Sequence, residues 1–291
     1  MLLMDKTLLY QLCETSPFMM SFVIVTKKNN CIVIDGGREE DMPKLKEYVG
    51  GRNISAWILT HPHSDHIGGI MSEIKKNNLA DFDVEKIYYN FPPISLMDKT
   101  EDVPDVKYYV SEFNDVLVEF VNETEPLIKD ISHIVKQGES IQIDECKIDF
   151  IFSFHDGIYS NMMNDASLVF KVNAPNKSVL FLGDLGPDGG DILFRESRHL
   201  LKSDIVQMAH HGHMNVGMEV YAAIMPEACL WCCADWLYNE VEEPSYLSDV
   251  ERLKKMKRIR MYGTAVTRQW MDILGVKKHY VTKDGTQCIE I

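Results

Sequence analysis

The chain lacks a strongly basic face. Its longest basic run is the KKMKR of residues 254–258, and 30 Lys and Arg stand against 44 Asp and Glu, a formal charge of −14. Proteins that neutralise many phosphates of a long duplex normally carry the opposite balance. Extended nucleic acid is therefore disfavoured as a partner, while a small anion held at a local metal site stays open. No apolar run approaches the ~18–20 residues that span a bilayer. The opening MLLMDKTLLYQL is broken by Asp5 and Lys6, so neither a membrane span nor a secretory leader is expected. Seven cysteines form an odd set without framework spacing, which excludes a disulfide scaffold and fits a reducing compartment. The expected location is cytoplasmic. There is no Gly-x-Ser-x-Gly elbow and no Walker loop, and GDLGPDGG at 183–190 has the wrong spacing for a dinucleotide fingerprint.

What is present is ordinary globular material: 291 residues, 45% hydrophobic and 25% charged, enough to bury a sizeable core. SFVIVTKKNNCIVIDGG (21–37) reads as two strands joined at Lys28-Asn29-Asn30. A short helix follows over 41–49. ISAWILT (54–60) is a continuous apolar run of strand length, as expected for a strand covered on both faces. It leads directly into HPHSDHIGG and a helix over about 67–76. VEKIYYN suggests a strand, then comes a Pro-rich loop to 106, and 107–123 has helical spacing. Residues 139–154 alternate as a hairpin, and 167–172 and 178–184 read as two further strands. Helices are expected over 191–202, 218–225 and 245–256, and a strand over 204–209. CLWCCA reads as a buried strand, so Cys229, Cys232 and Cys233 are taken as core thiols and not as a zinc site. The chain should close with a hairpin over 279–291, turning at Asp284-Gly285. No linker or internal repeat interrupts this order. One α/β domain of stacked sheets with outer helices, spanning 1–291, is the economical reading, with 80–135 as a pocket-shaping insertion.

Six of the ten histidines fall in two clusters, His61, His63, His66 and His210, His211, His213. In extended backbone, residues two apart point the same way, so His61 and His63 can approach one ion together. Asp65 and His66, where the chain bends into a helix, can serve a second. Pro62 stiffens the segment, and Gly68-Gly69 permits close backbone approach. Mixed imidazole and carboxylate donors suit zinc, manganese or iron. Asp35 in VIDGG and Asp184 in LFLGDLG each follow an apolar strand. Asp35 points toward the same region or caps a turn, and Asp184 could bridge two metals. QMAHHG ends another strand with His210 and His211, one to bind metal and its neighbour to donate to substrate; His213 reads as a supporting or solvent-facing residue.

His61-x-His63-x-Asp65-His66 followed by Gly68-Gly69 resembles the signature of the metallo-β-lactamase superfamily. Asp35, Asp184 and His210-His211-Gly212 fall in that superfamily's order. Within it, Asn164-Asp165-Ala166-Ser167-Leu168-Val169, the His-His-Gly, and Tyr280-Val281-Thr282-Lys283-Asp284-Gly285 are similar to the nuclease-like soluble domain of competence DNA-uptake proteins. Cys13-Glu14-Thr15-Ser16 departs from the Gly-Gln-Gly-Asp usual there. The resemblance implies a four-layer αββα sandwich with metals at one edge. It implies His61 and His63 on one ion, Asp65 and His66 on the other, Asp184 bridging and His210 completing the second site. The histidine that normally precedes the bridging acid is missing; Asn164, Asp165 or His155 are the candidates to replace it.

Two divalent ions, zinc or manganese, lower the pKa of water enough to supply hydroxide at neutral pH. Asp65 would orient the attacking water and His211 would protonate the leaving group. The expected activity is metal-dependent hydrolysis of a phosphodiester, nuclease-like, on a small-molecule or phosphodiester substrate. The rival is hydrolysis of a thioester, lactone or β-lactam at the same site, and behind it stands a binding module without turnover.

Overall fold

A computed structural model describes residues 5–100, 115–159, 161–239 and 263–291. The helix expected over 245–256 and the first part of the one over 107–123 lie outside those residues. Among the described residues no helix is long and apolar enough to cross a membrane.

The strands are β1 Leu8–Gln11, β2 Ser21–Val25, β3 Cys31–Asp35, β4 Asn53–Ile58, β5 Asp83–Val84, β6 Ile87–Tyr89, β7 Ser132–Ile134, β8 Ser140–Ile143, β9 Cys146–Phe152, β10 Val169–Asn173, β11 Ser178–Phe181, β12 Ile205–Gln207, β13 Ala228–Trp231, β14 Lys278–Val281 and β15 Gln287–Glu290. They form two mixed sheets. The first runs β15-β1-β2-β3-β4-β6-β7, with β5 also on β4, and the second β14-β13-β12-β11-β10-β9-β8.

Strand period explains the layering. On β2 to β4, Phe22, Ile24, Ile32, Ile34, Ala56 and Ile58 pack into the core between the sheets. Their alternating neighbours Val23, Val25, Val33 and Trp57 pack outward against the helices α1 (Met42–Val49) and α2 (Ser64–Asn77). The second sheet does the same. Phe170, Val172, Val179 and Phe181 face inward, while Leu180, Val206, Cys229 and Trp231 face an outer layer that includes helices Pro187–Ser197 and Met218–Ile224. A strand with two apolar faces needs cover on both, so the continuous apolar runs build helix, sheet, sheet, helix. The expected αββα sandwich is present.

Three details differ from the sequence reading. The expected hairpin over 279–291 is not one: β14 pairs parallel with β13 in the second sheet, and β15 pairs antiparallel with β1 in the first. The turn at 282–285 instead carries the chain from one sheet to the other. β1 and the three-residue β7 are additional strands, both too short to show a pattern of their own in the sequence. VEKIYYN splits into β5 and β6, both parallel to β4.

The candidate metal centre

The functional side chains come from the carboxyl ends of strands gathered at one edge of the sandwich. β3 ends at Asp35, β4 runs on to His61 and His63, β11 runs on to Asp184, and β12 runs on to His210 and His211. His63 is the N-cap of α2, and the extended backbone there (φ −102°, ψ 151°) turns His61 and His63 back while Asp65 and His66 open the helix. α2 must lie close to the loop after β3. The Gly69 N–H donates to the Gly37 carbonyl at 2.8 Å, and a Cβ on Gly69 would stand 2.9 Å from the Arg38 carbonyl oxygen. Of Gly68-Gly69, the second is the one that requires glycine.

Donor atoms converge in two trios, His61, His63, Asp184 and Asp65, His66, His211, each within 4.8 Å internally. The Asp184 carboxylate lies between them: Oδ2 is 3.7 Å from His61 Nε2 and 3.4 Å from His211 Nε2, and Oδ1 is 3.3 Å from His66 Nε2. His61 Nε2, His66 Nε2, His211 Nε2 and Asp184 Oδ1 are buried with no hydrogen-bond partner among the described residues. Buried polar atoms are normally satisfied, so four orphans aimed at one space are the arrangement divalent cations complete. The donor set fits zinc, manganese or iron.

The far side of each imidazole sets its tautomer. Asp35 does not join the donors. Its Oδ2 lies 2.7 Å from His66 Nδ1 and accepts from the Thr60 hydroxyl at 2.8 Å, while Oδ1 accepts the Thr60 N–H at 2.8 Å. With Nδ1–H given to Asp35, His66 turns the lone pair of Nε2 into the centre. His211 does likewise: Nδ1 lies 2.9 Å from the Cys232 carbonyl, which can only accept. His210 is the reverse. The Asn215 amide nitrogen donates to the Asp184 carbonyl at 3.2 Å and stands 2.7 Å from His210 Nδ1. Nδ1 of His210 therefore accepts, and its Nε2 carries the proton 3.6 Å from Asp184 Oδ2. The sequence reading gives His210 the ligand role and His211 the proton; here it is the His211 donor atom that falls within the second trio, while Asn215 faces His210 Nδ1. Consecutive left-handed residues, φ 48° and 58°, aim the two rings apart.

The electrostatics of the two trios differ. Burial opposes protonation of His66 and His211, but Asp184, with Asp35 beside His66 and Asp65 beside His211, outweighs it and holds His66 well above its ordinary pKa and His211 up to about 9, so these two rings must shed a proton to coordinate. Burial, then His66 and His63, pushes His61 well below its ordinary pKa, and burial takes His63 down to about 3. Burial opposes ionisation of Asp184, but His66, His211 and the other imidazoles outweigh it and hold the carboxyl well below its usual range. The first-site imidazoles are neutral and the carboxylate charged, as coordination requires.

The remaining candidates lie elsewhere. His155 stacks on Phe152 and has Nε2 3.2 Å from the Gln137 side-chain oxygen, outside both trios. Asp165 accepts the Gly189 N–H at 2.7 Å and so caps helix Pro187–Ser197. Asn164 is buried, and its Oδ1 has no hydrogen-bond partner among the described residues. His213 is buried against the His210 ring, so it is not solvent-facing. The three grouped cysteines are buried in and beside β13. Gln207 and Asn215 hydrogen-bond around the site, and the sequence does not single them out. Gln207 accepts the Leu182 N–H and donates to the Gly183 carbonyl, fixing the turn before Asp184. A glutamine inside the apolar run DIVQMA is the only signal of it.

The Metallo-beta-lactamase superfamily matches over residues 18–138, which hold His61, His63, Asp65 and His66 but not Asp184 or the later histidines. The fold is similar to that of the metallo-beta-lactamase fold protein YhfI from Bacillus subtilis, with TM-score 0.53 and 12% identity over 97% of this chain and 100% of that one. It is also similar to CmlA, a diiron beta-hydroxylase from Streptomyces venezuelae, with TM-score 0.55 and 10% identity over 99% of this chain, which spans 55% of CmlA. No curated protein matches the sequence.

Proposed function

We propose that the chain is a metal-dependent hydrolase of the metallo-β-lactamase superfamily that cleaves phosphodiesters. The observation that carries this reading is the Asp184 carboxylate set between two donor trios. His61, His63 and Asp184 would hold one divalent cation, zinc or manganese, and Asp65, His66, His211 and Asp184 a second. When bound, such a pair supplies Lewis acidity and water of lowered pKa.

The chain's own residues do the rest. Asp35 and the Cys232 carbonyl hold His66 and His211 in the tautomer that coordinates. Asp65, with Oδ2 3.4 Å from His211 Nε2, would orient the attacking water from the second trio. His210, its Nε2–H kept in place by Asn215, would donate to the departing oxygen. An alkoxide leaving a phosphodiester needs that proton more than a thiolate leaving a thioester does, which favours phosphodiester over thioester cleavage. Purified protein should contain bound divalent metal and turn over bis-(p-nitrophenyl) phosphate. Turnover of a thioester, lactone or β-lactam alone would overturn the phosphodiester reading, and stoichiometric metal without turnover of any ester would overturn hydrolysis.

A further inference from the structure

Thr60 stands where the two sheets and the two donor trios meet. It lies just past β4 and directly before His61, and it is buried. Its N–H donates to Asp35 Oδ1 at 2.8 Å, at the end of β3. Its carbonyl accepts the Leu168 N–H at 2.8 Å, directly before β10 of the second sheet. A Cβ on Gly183, the neighbour of Asp184, would come within 3.1 Å of the Thr60 Cβ. The backbone of Thr60 is thus tied to both sheets.

The hydroxyl is more closely held still. Thr60 Oγ1 lies 2.8 Å from Asp35 Oδ2, 3.2 Å from His61 Nδ1 and 3.1 Å from His66 Nδ1. A hydroxyl has one proton to give and two lone pairs with which to receive. The Asp35 carboxylate can only accept, so the proton goes there. Oγ1 is then an acceptor toward the rings. His66 Nδ1–H has Asp35 Oδ2 nearer, at 2.7 Å, which leaves the Thr60 oxygen to His61. His61 therefore carries its proton on Nδ1. Its Nε2 is left with a bare lone pair, buried without a hydrogen-bond partner among the described residues and 3.7 Å from Asp184 Oδ2.

We infer that Thr60 is a positioning residue that fixes the tautomer of His61, so that one carboxylate, Asp35, orients a ligand in each trio: His66 directly and His61 through the Thr60 hydroxyl. A ligating imidazole points its lone pair at the cation only when its other nitrogen gives a proton away. Valine at position 60 would keep the shape of the side chain and leave His61 Nδ1 without an acceptor. The ring proton would then move to Nε2, where Asp184 stands, and the lone pair would turn away from the first cation. His66 would keep Asp35. This rests on reading the trios as cation sites and is independent of the substrate.

The test is nitrogen-15 NMR of the histidine rings in the whole chain, first chelator-treated and then titrated with zinc. In the metal-free wild type, His61 should show a protonated Nδ1 and a bare Nε2. Thr60→Ser, which keeps the hydroxyl, should match it, and Thr60→Val should reverse the two nitrogens. In Thr60→Val the His61 and His63 resonances should need ~10–100-fold more free zinc to shift, the range for losing the partner of a ligating imidazole, while His66 and His211 respond as in the wild type. A role in packing alone predicts the opposite pattern, with Thr60→Val silent and Thr60→Ser impaired, and that result would overturn the assignment. If Thr60→Val does not fold, the wild type decides: a proton on Nε2 of metal-free His61 overturns it. Zinc that shifts none of these rings would overturn the cation reading instead, and the metal-free tautomer of His61 would still decide the role of Thr60.

Discussion

His210 and His211 are adjacent in sequence and opposite in polarity: Nδ1 of His211 donates to the Cys232 carbonyl, and Nδ1 of His210 accepts from Asn215. Two imidazoles at one edge of a sandwich thus offer one lone pair and one proton. Substitution should separate the roles. His211→Ala should release most of the second metal equivalent. His210→Ala should keep both while kcat falls by ~10²–10⁴-fold, the usual scale for losing a general acid. Asn215→Leu should fall between, since His210 stays but loses its fixed tautomer. Metal content by elemental analysis beside kcat decides it, and equal metal loss in both histidine variants would remove the distinction.

Asp35 should behave as a positioning residue. Its carboxylate touches His66 at Nδ1, on the side away from the donors, and Thr60, and supplies no atom to either trio. Asp35→Asn replaces the acceptor facing His66 Nδ1–H and should weaken metal affinity ~10–100-fold, the range for the hydrogen-bond partner of a ligating imidazole. Competition against a chelator measures this. A melting temperature near wild type in saturating metal would show that the fold tolerates the change, and unchanged affinity would mean that Asp35 does not govern the ring.

Much of this geometry is legible in the amino-acid sequence. β4 and α2 announce themselves because an apolar run of strand length meets a polar one with glycines behind it, and the site lies at that junction. The β2–β3 turn is visible because Asn29 tolerates the left-handed conformation it adopts (φ 66°). The division between His210 and His211 is not visible. It depends on two left-handed residues in a row and on which backbone carbonyl each ring meets, and no spacing rule encodes either. The same holds for 279–291, where alternation and an Asp-Gly turn describe a hairpin equally well as a crossover between sheets. Pairing partners far along the chain select the crossover.

Metal should stabilise as well as activate. The orphaned donors at the strand ends are unsatisfied without a cation. A ligand that binds only the folded chain adds ~2.7 kcal/mol at a hundredfold excess over Kd. Zinc or manganese added to chelator-treated protein should therefore raise the melting temperature. His63→Ala and Asp184→Asn should each abolish turnover and blunt that rise, with the sandwich core still folded. A full rise in both variants would place the binding site elsewhere.

Asp165 gives the pH prediction. Its carboxyl is buried beneath the first turn of helix Pro187–Ser197, and burial, with Asp188 and Asp191 nearby, lifts its pKa from 3.8 to about 7 against the pull of the Gly189 N–H. The folded chain thus binds this proton more tightly than the unfolded chain does. The resulting stabilisation is complete below the unfolded value, shrinks as pH rises between about 4 and 7, and is gone above the folded value, where the native state must hold a buried charge. A shift from 3.8 to about 7 corresponds to a few kcal/mol across that window. Asp165→Asn keeps an oxygen for Gly189 and cannot ionise. Urea unfolding in chelator at pH 5 and pH 8 should show the variant gaining on the wild type by a few kcal/mol at the higher pH. A difference between the two proteins that does not change with pH would mean that Asp165 titrates alike in the folded and unfolded chain.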